Sequence, residues 1–222
     1  MSKKGSIKVA IVDYYAGNLF SVKQACEYVG MEAWVTSSRS QLFEADVVIL
    51  PGVGAFGDAM NALKKLDLVS PLKEIAVSNQ MLVGICLGMQ LLMTESYEFG
   101  THRGLDIIPG EVIRFEKPKT GSLNFKVPQV GWNRISLPQN RDWLNSPLET
   151  LNPEEFMYFV HSFYVCPEDE RVILSQSDYA NIRFCSSLKY QNLVAFQFHP
   201  ERSGKRGLEI YQALKSSIEK QR

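Results

Sequence analysis

Histidine is scarce in this chain, at three of 222 residues, and a surplus of charge is missing altogether, with 24 lysines and arginines against 24 aspartates and glutamates. That balance excludes the electrostatic footprint of a nucleic-acid or anionic-membrane binder. No apolar run approaches the length that spans a bilayer, and residues 1–5 lead straight toward a strand with no apolar leader core, so the expected compartment is the cytoplasm. Cysteine is sparse as well. Cys26, Cys86, Cys166 and Cys185 show no C-x-x-C spacing, in a chain too long to depend on a disulfide framework. Four reduced thiols, no zinc or other metal site and no cofactor are expected. The remainder is ordinary: 45 % hydrophobic and 22 % charged residues suit a soluble protein, and the length fits one α/β domain, residues 1–222, with a substantial core.

One stretch organises the rest. Met81-Leu82-Val83-Gly84-Ile85-Cys86 is a continuous apolar run, the mark of a strand buried on both faces, and residues 87–93 are strong helix formers. Cys86 stands between them in the spacing Gly84-x-Cys86-x-Gly88, a nucleophile elbow with cysteine in place of serine. A strand that turns sharply into a helix crowds both sides of the corner, and glycine removes the Cβ that would clash. The same corner leaves sulfur beside unpaired N–H groups of the helix, which favour the attacking thiolate. The alternative, a small buried core cysteine, does not account for the flanking glycines.

A cysteine nucleophile needs a base. His199 ends the apolar pattern Val194-Ala195-Phe196-Gln197-Phe198-His199-Pro200-Glu201. Residues two apart in extended chain share a side, so Glu201 can reach the imidazole and fix its tautomer. Cys86, His199 and Glu201 therefore form a candidate triad. His102, in a loop over 100–104, reads as solvated. His161 reads either as a satisfied core histidine or as a substrate-side residue.

The elements around these residues follow from periodicity. Residues 7–12, 32–36 and 46–50 read as strands, with a helix over 19–29 opened by Gly17-Asn18 and stopped at Gly30. Strand, helix and strand at this spacing imply a parallel sheet with right-handed crossovers. Pro51-Gly52-Val53-Gly54 follows the third strand, at the edge where open α/β sheets place ligands. Residues 55–79 are helical in pattern, with Pro71 as a break or a second start. Short strands at 112–115, 125–130 and 134–137 suggest an antiparallel or mixed extension. Strands at 156–165, 172–176 and 182–188 lead to the His199 strand, and an amphipathic helix from Gly207 closes the chain.

Gly84-Ile-Cys86-Leu-Gly88-Met-Gln90 together with Gln197-Phe-His199-Pro-Glu201 resembles the class I (triad) glutamine amidotransferases. Pro51-Gly-Val-Gly54, Gly131-Trp-Asn133 and Phe159-Val-His161-Ser-Phe-Tyr164 narrow the resemblance to the glutaminase subunits of imidazole glycerol phosphate synthases. It runs in order from about residue 7 to about residue 210. It implies an open, mostly parallel mixed sheet flanked by helices, flavodoxin-like, and hydrolysis of glutamine to glutamate and ammonia. An oxyanion hole is implied at the Gly52–Val53 region and the Leu87 N–H. Gly54, Gln90, Glu98, His161, Ser162 and Phe163 are implied to line the glutamine pocket. Gly17, Asn18, Tyr158 and Arg202 are implied to contact a (β/α)8-barrel cyclase subunit in a heterodimer that receives the ammonia.

Two positions depart from that pattern. Gln129 stands where histidine is usual, and Ala195-Phe196 where glycine-threonine or alanine-threonine is common; neither belongs to the triad. Two other readings stay open: a paralogue that supplies ammonia for cell-surface sugar amidation, and a stand-alone cysteine hydrolase of γ-glutamyl peptides. A catalytically silent scaffold subunit is disfavoured by the complete triad.

Overall fold

The structure, a computed structural model, describes residues 5–116 and 125–222. Residues 1–4, read above as running straight into a strand, lie outside them. Strand and helix alternate at first as the periodicity predicts. β1 (Lys8–Val12), β2 (Glu32–Thr36), β3 (Val47–Gly52) and β4 (Met81–Cys86) are separated by α1 (Leu19–Tyr28), α2 (Arg39–Phe43), α3 (Phe56–Lys65) and α4 (Val69–Ala76). Gly30 ends α1 with φ +77°, a left-handed turn suited to glycine. Asn18 holds the N-cap position of α1, but its side chain caps nothing. Pro71 lies in the first turn of α4, where a missing N–H removes no intrahelical bond.

The second half departs further from the sequence pattern. α5 (Leu87–Leu91) is followed by β5 (Met93–Ser96), β6 (His102–Arg103), β7 (Ile108–Arg114), β8 (Gln129–Arg134), β9 (Phe156–His161), β10 (Phe163–Pro167), β11 (Ile173–Tyr179), β12 (Ile182–Tyr190), β13 (Leu193–Phe196) and α6 (Gly204–Gln221). The helix expected over 87–93 stops at Leu91, because Met93 already belongs to β5. Leu91, Leu92 and Met93 are all fully buried, and an unbroken apolar run carries no period that separates helix from strand. His102 is not in a loop: it pairs with Ser96, and its ring lies where a Cβ on Gly57 would meet it at 2.7 Å. β8 replaces the strands expected at 125–130 and 134–137, and α6 starts earlier than Gly207. The aromatic run over 156–165 is two strands. β9 pairs with β8 in a separate ribbon and β10 joins the main sheet, so the chain changes partners at Ser162. Both strands bury aromatic side chains, and the hydrophobic pattern runs on across the break.

The main sheet has the order β2-β1-β3-β4-β13-β12-β10-β7-β5-β6, with β11 added on β12. From β2 to β13 every pairing is parallel, and β12, β10 and β7 extend this core antiparallel. Alternate residues of the central strands feed two layers. Val9, Ile11, Ile49, Val83, Ile85 and Phe196 pack with Val22 and Cys26 of α1 and Ile210 and Leu214 of α6. Ala10, Val12, Leu50, Leu82 and Ala195 pack with Phe56 and Met60 of α3 and Leu72 and Ile75 of α4. Helices on both faces explain why these strands read as continuous apolar runs; a fully buried aliphatic side chain is worth about 2 kcal/mol over an exposed one. Among the described residues no helix is long and apolar enough to cross a membrane.

Candidate active site

β3 and β4 end together at the carboxyl edge of the sheet, with Gly52 paired to Cys86. Cys86 takes φ +54° and ψ −111°, a backbone that costs a non-glycine residue roughly 1–3 kcal/mol and persists only when its surroundings impose it. The two flanking glycines supply those surroundings. A Cβ on Gly88 would lie 1.8 Å from the carbonyl oxygen of Leu50, and one on Gly84 would lie 3.1 Å from Ala195 Cβ and from Gly88 O. α5 is thus pressed against the neighbouring strand β3, and the elbow spacing follows from that contact.

The Cys86 side chain is buried. Its thiol donates to the carbonyl of Val160 at 3.8 Å, and Gln197 Nε2 donates to its sulfur at 3.7 Å. His199 is close enough to feel the same sulfur. Burial works to lower its imidazole, but Cys86 and then Glu201 outweigh burial and raise it to about 10. Glu201 Oε1 lies 2.8 Å from His199 Nδ1, with both side chains almost wholly buried. A carboxylate only accepts, so Nδ1 carries the hydrogen, and the buried Nε2 is left without a hydrogen-bond partner among the described residues. Ser203 holds this turn in place. Its hydroxyl donates to His199 O at 2.7 Å and accepts from Tyr158 N at 2.9 Å, while His199 N donates to Tyr158 O at 2.9 Å.

Opposite the elbow, the hydroxyl of Tyr14 donates to Pro51 O at 2.6 Å. Burial, with the charge of Cys86 adding to it, pushes that hydroxyl far above its ordinary range, so it remains a donor. In a trans peptide N–H points opposite C=O, and the Gly52 N–H is therefore committed to the side away from Tyr14. A Cβ on Gly52 would lie 2.2 Å from Tyr14 Oη and 2.9 Å from Leu87 Cβ. Constraint ends there. Gly54 takes φ +108° with open space around its Cβ position, and Val53 is exposed.

The residues assigned to the amino-acid end of glutamine fall into different settings. Gln90 Nε2 donates to Phe163 O and to Gln197 Oε1, both at 3.0 Å. Glu98 Oε2 accepts from Phe56 N at 2.6 Å and so caps α3. Glu98, Ser162 and Phe163 line a cleft of about 660 Å³ together with Arg114 and Tyr164. His161 belongs to the core: its Nδ1 lies 2.8 Å from Phe163 O, and its ring centroid stands 5.2 Å from those of Phe115 and Phe184. Burial, opposed by the Phe163 hydrogen bond, lowers this imidazole to about 4 and keeps it neutral. Gln129 pairs with His161 across the ribbon and is buried with it.

The residues assigned to a partner contact lie beside the site. A Cβ on Gly17 would be 3.5 Å from Pro51 Cγ, which puts the Gly17-Asn18 turn against the Pro51 loop. Arg202 stacks over the Tyr158 ring at 4.7 Å, and Tyr158 meets Trp132 edge-on at 6.1 Å. Trp132, Tyr15 and Val53 are exposed, giving this edge an apolar rim. Sequence reasoning passed over Tyr14 and Gln197 as site residues. Gln197 carries a signal all the same: it is a polar residue in an apolar strand, two positions from His199 and so on the same side.

An elbow cysteine, a buried histidine–carboxylate pair and a parallel sheet that carries them at one edge define a class of amide-hydrolysing domains. The chain belongs to the class-I glutamine amidotransferase family, whose model, "Glutamine amidotransferase class-I", matches residues 10–213. Within that family it is 45 % identical over 215 residues to the imidazole glycerol phosphate synthase subunit HisH of Aquifex aeolicus (strain VF5), covering 96 % of this chain and 99 % of that protein. The HisH subunit of Geobacter sulfurreducens is 43 % identical over 204 residues, 91 % of this chain and 95 % of its own. Among solved structures, PurLQS from Thermotoga maritima superposes with TM-score 0.69 at 15 % identity, over 95 % of this chain and 98 % of that one. A glutamine amidotransferase from Thermotoga maritima gives TM-score 0.63 at 18 % identity, over 98 % of this chain and 86 % of its own. These two likenesses concern the fold.

Proposed function

We propose that this chain, as one domain over residues 1–222, is the glutaminase subunit of an imidazole glycerol phosphate synthase and supplies ammonia for histidine biosynthesis. The HisH relatives, similar over nearly the full length, support the pathway. The observation that carries the chemistry is the meeting at one edge of a strained elbow cysteine and an imidazole held by a buried carboxylate.

Cys86 gives its proton to His199, and the thiolate attacks the side-chain amide carbon of glutamine. The N–H groups of Leu87 and the Gly52–Val53 region take up the negative oxygen. The His199 imidazolium, steadied by Glu201, passes its proton to the departing nitrogen, and ammonia leaves behind a thioester. Water, relieved of a proton by His199, adds to that carbonyl. The C–S bond then breaks, releasing glutamate and restoring the sulfur. Gln90, Glu98 and the backbone of Ser162 and Phe163 hold the amino-acid end, with Gly54 in the opposite wall and His161 supporting Phe163 from the core.

The ammonia goes to a (β/α)8-barrel cyclase subunit docked over the rim of Gly17, Asn18, Tyr158 and Arg202, in the cytoplasm. Free ammonia at neutral pH becomes ammonium and is lost, so hydrolysis should be slow until the partner is present. The test is glutamine turnover by the purified chain alone and with the cyclase subunit plus its nucleotide ligand. A rise of orders of magnitude on mixing is expected; equal rates would overturn the assignment.

A further inference from the structure

Gln197 is buried, and its two amide atoms face different parts of the site: Oε1 meets Gln90 Nε2 at 3.0 Å and Nε2 meets Cys86 Sγ at 3.7 Å. We propose that Gln197 is a further catalytic residue, whose N–H holds the Cys86 sulfur in its anionic form and whose orientation is locked through Gln90 by the carbonyl of Phe163. The proposal rests on Cys86 being the nucleophile of the glutaminase reading.

Oxygen and nitrogen of an amide are told apart by their partners, and here one backbone atom decides both. Phe163 O can only accept, so the Gln90 atom 3.0 Å from it is nitrogen. The same nitrogen faces Gln197, so the Gln197 atom that meets it is oxygen, and the atom beside the sulfur is nitrogen. Turning Gln197 over would oppose two NH2 groups in a dry interior and place a carbonyl against the sulfur, and both arrangements are unfavourable.

The sulfur thus has two amide neighbours with opposite preferences. Val160 O, 3.8 Å away, accepts from a thiol and repels a thiolate; Gln197 Nε2 does the reverse. Gln197 therefore offers the sulfur an N–H bond that gains its full strength only once the proton has gone to His199, and charge-assisted bonds of that kind are the strong ones. Because Gln90 stands both on the lock and at the amino-acid end of the pocket, the bond that steadies the nucleophile is anchored on the substrate side.

The experiment measures iodoacetamide modification of Cys86, identified by peptide mass, across pH in the intact chain, with glutamine turnover of the complex alongside. Gln197→Met should slow alkylation about 10-fold at neutral pH, the weight of one hydrogen bond to a charged atom, and the gap should narrow as pH rises. Its kcat should fall with KM little changed. Gln90→Met should give a smaller gap of the same shape. Gln197→Glu, which keeps the volume and faces the sulfur with oxygen, should be slow even where Gln197→Met is poorly folded. Wild-type alkylation by either Gln197 variant at every pH, or a gap of constant size across pH, would overturn the proposal. If the wild-type complex consumes no glutamine, the functional reading fails instead, and the alkylation profile still judges Gln197.

Discussion

The elbow at Cys86 and the loop at Pro51–Gly54 lie across from each other and treat their backbones in opposite ways. On the elbow side no atom has room: Gly88 rests on Leu50 O, Gly84 on Ala195, and Cys86 is held at φ +54° between them. On the loop side Tyr14 pins the Pro51 carbonyl, and past Gly52 the chain meets open space. The difference teaches where adjustment can occur. Cys86 and the start of α5 are set by the fold, while past Gly52 the chain has room to turn, with Val53 exposed. The pinned Pro51 carbonyl confines any such turn to the chain past Gly52.

Substitutions can break or sharpen this contrast. The largest effect belongs to the fixed side: Cys86→Ala should reduce glutamine hydrolysis by about 10⁵-fold while leaving synthesis from added ammonium intact in the complex, as measured by both assays on one preparation. Glu201→Gln, which frees the imidazole to adopt the wrong tautomer, should lower kcat by about 10³-fold with the fold retained by circular dichroism.

Gly88→Ala and Gly54→Ala then compare the two sides directly in urea denaturation. The first drives a methyl group into Leu50 O and should cost more than about 3 kcal/mol. The second meets no neighbour and should cost about 1–2 kcal/mol from its left-handed backbone, with its main effect on partner-stimulated kcat. Equal destabilisation would erase the contrast.

The fixed side also has a pH signature. His199 is raised from 6.5 to about 10, so the stability it confers is fully present below the ordinary histidine value. It is lost as pH climbs toward the folded value. Urea midpoints should fall across that interval in the wild type and change less in Glu201→Gln. Smallest of all, Arg202→Ala removes a cation–π contact on the rim and should weaken partner binding about 3-fold in titration calorimetry, without changing ammonium-driven synthesis.

What could be read in advance was whatever neighbours in sequence decide among themselves. The elbow glycines, the His-Pro-Glu turn and the apolar runs of β1, β3 and β4 each follow from local sterics or from burial on both faces of the sheet. The end of α5 was illegible because Leu91-Leu92-Met93 is apolar in every direction. The switch from ribbon to sheet at Ser162 was illegible because both strands bury aromatic rings. Tyr14 escaped notice because its partner is a carbonyl 37 residues away, a contact that tertiary folding alone creates. Gln197 stands inside a legible motif yet shows no role there, since its meaning depends on Gln90, 107 residues distant.

The main chain of Tyr158 grips the imidazole turn twice, its carbonyl on the His199 N–H and its own N–H on the Ser203 hydroxyl. An engineer who grafted only the Cys86, His199 and Glu201 side chains onto another α/β scaffold would leave that clamp behind. The ribbon of β8 and β9 has to travel with them, because the His199 turn is seated on it and not on the sheet alone.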